Sequence, residues 1–329
     1  MSALRDEIIR QLADGKPHSV KALAGALNTD VQTIERIAPT LAEVGLRLER
    51  PATDTLALAN ALQLLDHDSI QRLVEEDACL DSVEIYGSIE STNTYLLDKT
   101  PPPAGHMDAC LAEFQTQGRG RRQRSWVAPY ASGICLSLGW TCEAVPAAVS
   151  TLSLVIGVAV RRALAACGVD EIRLKWPNDI IFNGSKLGGV LTELRRGARD
   201  AVRIVAGIGI NVSLPGEVRR MIDRTAKISC TDLTEAAGGL MPDRNRVAAE
   251  LILALSAGVR EFDQSGFAAF KDEWRQLDVT DGQQVVLVDG EESYAGTACG
   301  IDDDGALLVD VAGTQRRFLA GDVSLRMTQ

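Results

Sequence analysis

The chain has 329 residues, too many for one ordinary core and suited to two or three domains. Hydrophobic residues make up 46% and charged residues 24%, the balance of a folded soluble protein, and the net charge of −11 excludes nucleic-acid binding other than through a local basic patch. The seven cysteines are odd in number and no two lie at metal-knuckle or redox-pair spacing, which argues against a full disulfide framework and for reduced, mostly buried thiols in a cytoplasmic protein.

The N-terminus mixes acids with apolar residues and lacks an export signal. Leu4, Ile8, Ile9 and Leu12 form one helical stripe, stopped by Gly15 and Pro17, and Val20, Leu23, Ala24 and Leu27 form a second. Thr29 or Asp30 caps a third helix through Val31, Ile34, Ile37, Leu41 and Val44, ended by Gly45. Two short helices joined tightly at Leu27, Asn28 and Thr29 predict a helix-turn-helix, and alternation over 46–49 and 56–58 predicts a hairpin wing. A three-helix protein-interaction module fits the same pattern. Residues 66–81 read as a polar connector.

Beyond it, strands are predicted over 83–86, 109–114, 133–138, 172–175, 180–182, 187–194 and 202–212. Ser91, Thr92 and Asn93 cap a short helix, and Asn183-Gly184 is a hairpin turn. Long helices are predicted over 147–166 and 244–262, with another near 267–274. The apolar stretch 144–160 is too short for a bilayer span and reads as a core helix. Strands with inserted helices predict an α+β domain on one mixed sheet. The last fifty residues read as short strands at 284–288, 293–301, 307–311 and 316–319, with turns at Asp289-Gly290 and Asp304-Gly305, which predicts a small barrel.

Four segments carry chemistry. Residues 118–126 (GRGRRQRSW) place Arg119, Arg121, Arg122 and Arg124 in a stretch with no acid from Phe114 through Cys142. Alternating Gly and Arg suits a mobile loop closing on phosphate oxygens, and Trp126 offers a face for a purine; an RNA-binding loop is the alternative. In KWPND (175–179) the Trp-Pro pair ends a strand and pins Asn178, able to read a ring edge, and Asp179, able to organise a cation or an arginine. In KLGGVLTE (186–193) the hairpin returns Lys186 towards 175–179, and Gly188-Gly189 admits a ligand close to the backbone. GIGIN (207–211) repeats a glycine-bearing strand ending in Asn211. No P-loop, nucleophile triad or HExxH motif occurs, and His18, His67 and His106 stand singly.

These four motifs in this order, with Ser91-Thr92-Asn93 upstream, resemble the biotin protein ligases. The N-terminal helix-turn-helix makes the resemblance specific to the bifunctional type, both biotin ligase and biotin operon repressor. It implies a winged helix-turn-helix over 1–66, a mixed-sheet catalytic domain of the biotin/lipoate ligase type over 67–277 with helices on one face, and an SH3-like barrel over 278–329. The implied reaction joins biotin to ATP as biotinoyl-5′-AMP, then passes the acyl group to a lysine of the biotin carboxyl carrier protein. By position, Ser91, Thr92, Asn93, Gln115, Gly118, Arg119, Lys186 and Gly189 correspond to biotin-binding groups. Arg121, Arg122, Arg124, Trp126, Asn178, Asp179, Asn211 and Arg326 correspond to the ATP and adenylate side. Lys186, Arg121 and Arg119 are the implied catalytic cations; Mg is expected with ATP, without direct protein ligation other than a role for Asp179. Operator DNA, a ligand-promoted homodimer and no membrane are the implied partners. A repressor without ligase activity and a lipoate-type ligase are the alternatives.

Two features depart from the family pattern. Gln123 stands where the loop usually has Gly. Residues 1–66 carry seven bases against nine acids, and the reading helix has only Arg36 as a base, an unusual balance for phosphate contact.

Overall fold

The computed structural model describes residues 2–146, 148–197, 201–226, 229–289, 292–319 and 323–327. At the N-terminus, helices α1 (Ser2–Leu12), α2 (Val20–Ala26) and α3 (Val31–Ile37) bury Ile8, Ile9, Leu12, Leu23, Ile34 and Ile37 in one core. Asp30 caps α3 by accepting from Thr33 N at 2.7 Å. The third helix predicted to run to Gly45 breaks at Ile37, and residues 38–44 tighten into a 3-10 turn. Pro39 explains the break: it lacks an N–H and its ring crowds the preceding turn. Gly45 closes the segment with φ 79°. The predicted hairpin is present as β2 (Leu48–Glu49) and β3 (Thr55–Leu58), and His18–Ser19 (β1) adds a third strand beside β3.

The predicted connector holds a helix, α4 (His67–Val74), capped by Asp66, which accepts from Ser69 N at 2.8 Å. Two apolar residues one turn apart, Ile70 and Val74, suffice to bury it. Just upstream, the linker is stapled to the region that follows it. Arg244, fully buried, donates to Glu113 Oε2 at 2.6 Å and Gly133 O at 2.8 Å, and also bonds Gln63 O. Glu113 Oε1 accepts from Leu65 N at 2.5 Å. Tyr130 N donates to Val44 O at 2.9 Å, and its ring completes the N-terminal core.

Among the described residues the central sheet runs β4 (Leu80–Ile89), β5 (Met107–Gln115), β6 (Gly133–Cys142), β10 (Val202–Asn211), β9 (Ser185–Arg196), β8 (Asp179–Phe182), β7 (Arg173–Lys175). Only β4 and β5 pair in parallel, so the sheet is mixed as predicted. The Asn183-Gly184 turn has φ 46° and 73°, both left-handed, the geometry a two-residue hairpin demands. Helices α6 (Leu152–Ala166), α9 (Arg244–Ser265) and α10 (Ala268–Leu277) cover one face. The expectation of helices on one face only is corrected by α5 (Thr92–Asp98), whose Leu96 packs on Cys110 and Val205 of the opposite face. Helices α7 (Gly216–Ala226) and α8 (Leu233–Ala236) follow β10 and were not foreseen.

The predicted helix over 147–166 starts as a 3-10 turn at Val149, and Ala147 lies outside the described residues. Val149–Ala166 is, by length and composition, apolar enough to cross a membrane. Burial against α9 and the sheet, rather than shortness, makes it a core helix.

Past α10 comes an antiparallel sheet in the order β14 (Thr314–Phe318), β13 (Leu307–Val311), β12 (Glu292–Ile301), β11 (Gln284–Asp289), β15 (Val323–Met327). Strand β15 was not foreseen, β14 starts two residues before the predicted 316, and Gly290 of one predicted turn lies outside the described residues. In the other turn, Asp302 Oδ1 accepts from Asp304 N at 2.9 Å and Ala306 N at 3.0 Å. That turn docks beside the central sheet, where Gly305 O accepts from Trp176 Nε1 at 3.0 Å.

Candidate active site

The arginine-rich segment is a compact hairpin. Arg119 and Ser125 form an antiparallel bridge, Gly120 N donates to Arg124 O at 2.7 Å, and Trp126 N donates to Gly118 O at 2.9 Å. A Cβ at Gly118 would stand 2.9 Å from Trp126 O, so glycine permits this closure. At the tip, Arg122 (φ 55°) and Gln123 (φ 58°) are both left-handed. Arg122 and Arg124 are exposed and Arg121 is half-buried. Arg119, expected to line the biotin pocket as a catalytic cation, has its charge paired within the protein. Its Nη1 donates to Thr94 Oγ1 at 3.0 Å, and its Nη2 reaches both carboxylate oxygens of Glu193 at 3.0 and 3.2 Å.

Ser91, Thr92 and Asn93 are buried at the start of α5, where Ser91 Oγ accepts from Thr94 N at 3.4 Å. Gln115 Oε1, at the end of β5, accepts from Thr92 N at 2.8 Å and Thr92 Oγ1 at 3.2 Å. Ser137 Oγ lies 2.7 Å from Thr92 Oγ1 and 2.6 Å from Asn93 Oδ1, and its single proton serves one of them at a time. Asn93 Nδ2 donates to Glu193 Oε2 at 2.8 Å and Leu191 O at 3.2 Å. Cys135 sits beside Gln115 and Trp126, and burial pushes its thiol up to about 11.

At the other end of β9, Lys186 Nζ pairs with Asp179 across the β8–β9 hairpin. Lys175 lies near both; burial first pulls its pKa down, Asp179 opposes the shift and Lys186 adds to it. The Lys186 backbone is fixed by bonds from its N–H to Ser229 O at 2.8 Å and from Thr231 N to its carbonyl at 3.0 Å. Asn211 Nδ2 holds that segment by donating to Thr231 O at 3.0 Å. Asn178 Nδ2 donates to Val190 O at 2.6 Å. Both asparagines were expected on the nucleotide side; one amide donor of each laces a loop to a strand, because a strand end leaves backbone carbonyls to satisfy. Arg326 lies on β15, and its side chain is outside the described part of the molecule.

The register shows how these groups meet. Gly189 pairs with Gly209, which pairs with Cys135; Leu191 pairs with Gly207, which pairs with Ser137. Directly paired residues point to the same side of a sheet. A Cβ on Gly189 would stand 3.5 Å from Lys186 Nζ, and one on Gly209 would stand 2.5 Å from the Trp126 ring. Lys186 and Trp126 therefore lie on one face over adjoining glycines. A Cβ on Gly207 would overlap the Asn93 carboxamide on that same face. The tandem glycines thus seat the protein's own side chains; Gly188 faces the core side, where a Cβ would overlap the Gly209 carbonyl and Ile210. Two cavities, of about 140 and 260 Å³, lie by Val145 and Arg196 and by His106 and Arg260, away from this face.

A face on which glycines seat an indole and a carboxamide beside a lysine and a cationic hairpin suits a flat ligand joined to an anion. Residues 86–211 match the model of the biotin/lipoate A/B protein ligase family, and residues 281–326 match the biotin protein ligase C-terminal domain. The chain is 36% identical over 322 residues to the bifunctional ligase/repressor BirA of Salmonella typhimurium, covering 98% of this chain and 97% of that protein. The chain belongs to the biotin protein ligase family. A biotin–[acetyl-CoA-carboxylase] ligase of Mycobacterium tuberculosis is 35% identical over 79% of this chain and 95% of its own. The biotin protein ligase of Aquifex aeolicus, solved with biotin and ATP, superposes with a TM-score of 0.63 at 28% identity, covering 75% of this chain and 100% of that one.

Membership in the biotin protein ligase family accounts for the motifs read from the sequence, whereas Glu193, Ser137, Thr94 and Thr231 drew no role there. Glu193 stood in the sequence as the last residue of KLGGVLTE, two residues after Leu191 on the same face of its strand, without a role of its own. Among the described residues no three His, Cys, Asp or Glu side chains gather as a metal site, and the Asp179 carboxylate is paired with Lys186.

Proposed function

We propose that the site on the glycine-floored face joins biotin to ATP and then transfers it. The chain is an ATP-dependent biotin protein ligase that modifies acetyl-CoA carboxylase through its biotin carboxyl carrier protein. A biotin carboxylate oxygen attacks the α-phosphorus of ATP, and the bond to pyrophosphate breaks. A carrier lysine, as its free amine, then attacks the acyl carbon of biotinoyl-5′-AMP; AMP leaves and the amine loses a proton. Both steps gather negative charge on oxygen, so preplaced cations govern the rate.

The observation that carries this reading is the placement of Lys186 and Trp126 over paired Gly189 and Gly209. In it, Ser91, Thr92, Asn93, Gln115 and Gly118 hold the biotin ring, and Lys186 meets the reacting carboxylate and phosphate. Trp126 walls the adenine, while Arg121, Arg122 and Arg124 close over the phosphates. Arg119, bound to Glu193, anchors the loop instead of serving as a free cation. Asn178, Asp179 and Asn211 shape the nucleotide side through Lys186, and Mg enters with ATP. Incubation with biotin, lipoate, MgATP and a purified carrier protein, read by intact mass, tests the reading. Biotin added to one lysine supports it; no addition, or addition of lipoate instead, refutes it.

Residues 1–66 are proposed as a winged helix-turn-helix that represses biotin synthesis genes as a ligand-promoted homodimer, with 67–277 as the catalytic domain and 278–329 as an SH3-like barrel of a cytoplasmic protein. The short helices α2 and α3 with the β2–β3 wing support it. Gel retardation of operator DNA at low salt with biotin and ATP decides: retardation supports repression, and none marks a ligase whose module has another use.

A further inference from the structure

Glu193 places a carboxylate on the very face that receives two anionic substrates, which Coulomb repulsion opposes unless the acid does something there. It binds Arg119 Nη2 at 3.0 and 3.2 Å and Asn93 Nδ2 at 2.8 Å. From Asn93 the contacts continue through Ser137 to Thr92, then to Gln115 Oε1, with no step longer than 3.2 Å. On the other side, Arg119 is bridged to Thr94 and stands at the root of the arginine hairpin, paired with Ser125. One side chain therefore joins the hairpin root to the groups assigned to the biotin ring.

We propose that Glu193 is a positioning residue for biotin adenylation. Its carboxylate seats Asn93 over Gly207 and fixes the hairpin root through Arg119, so that the Thr92 and Gln115 polar groups are preset for the biotin ring. The inference rests on the assignment of Thr92 and Gln115 to that ring. Glu193→Gln keeps the shape but turns one acceptor into a donor that faces Asn93 Nδ2 or Arg119 Nη2, both donors themselves.

Biotin-dependent exchange of pyrophosphate into ATP, run on the full chain, tests it. Glu193→Gln is expected to raise the KM for biotin about tenfold, as loss of a charge-assisted bond implies, and the KM for ATP by a smaller factor through the loosened hairpin root. Glu193→Asp, a second variant against misfolding, should give a smaller rise of the same kind. Combined with Arg119→Ala, Glu193→Gln should raise the KM for biotin by less than the product of the two single effects. An unchanged KM for biotin overturns the proposal, as does a parallel rise for both substrates with a lowered Tm. Gln115→Ala separates the two levels. If it raises the KM for biotin and Glu193→Gln does not, Glu193 alone is misassigned; if it has no effect, the pocket assignment falls and the Glu193 role with it.

Discussion

The Asn93 carboxamide occupies the space in which a side chain at Gly207 would begin. A helix N-terminus and a strand separated by more than a hundred residues are thereby held at backbone contact, and Glu193 secures the asparagine from the side. Glycine at 207 is required by packing, since its backbone is ordinary extended strand.

Gly207→Ala should displace Asn93 and raise the KM for biotin by about ten- to a hundredfold, the cost of a forced shift in a tight site. Gly209→Ala should displace Trp126 and raise the KM for ATP in preference to that for biotin. Pyrophosphate exchange with each substrate varied checks both, and interchanged effects would contradict the assigned halves of the site.

Gln123 sits at φ 58°, next to Arg122 at φ 55°. A side chain in this region costs about 1–2 kcal/mol, part of which glycine gives back through a more disordered unfolded chain. Gln123→Gly should therefore raise the unfolding free energy by about 0.5–1 kcal/mol in urea titrations. A fall in stability would show that Gln123 makes a compensating contact.

Much of the site was legible because short-range signals set it: a cap at Ser91, a two-residue turn at Asn183-Gly184, and an arginine loop free of acids. What escaped was set by long-range register. Nothing local announces that Gly189 will lie opposite Gly209, or that Glu193 will face Asn93 and Arg119. The loop-to-strand bonds of Asn178 and Asn211 escaped for the same reason, since their acceptors, Val190 O and Thr231 O, are distant in sequence. Helix α4 was missed because two buried residues in eight make a weak pattern, and α5 was found without its side of the sheet.

Burial lowers the Lys175 pKa below the ordinary value of 10.5. Between the lowered value and 10.5 the unfolded chain binds more protons than the folded one, so stability rises with pH across that window. Lys175→Met removes the charge and should flatten this rise in urea midpoints measured from neutral pH to pH 10.5. A variant as steep as the parent would show that Lys175 is not the source.

Arg244 is fully buried beside Glu113, where it also holds the linker at Gln63. Arg244→Ala leaves a buried carboxylate without its partner, and a loss of about 3–5 kcal/mol is expected in urea unfolding. A loss below about 1 kcal/mol would mean that the linker is fixed by other contacts.

The central claim is that Lys186, held by Asp179 beside Trp126, stabilises the charge that builds when biotin attacks ATP. Biotin-dependent pyrophosphate–ATP exchange by the parent chain and by Lys186→Ala tests it most directly. The parent should exchange, and the variant should lose at least about a hundredfold in rate with an unchanged Tm, as removal of one preplaced charge donor implies. Equal rates in the two proteins would contradict the account.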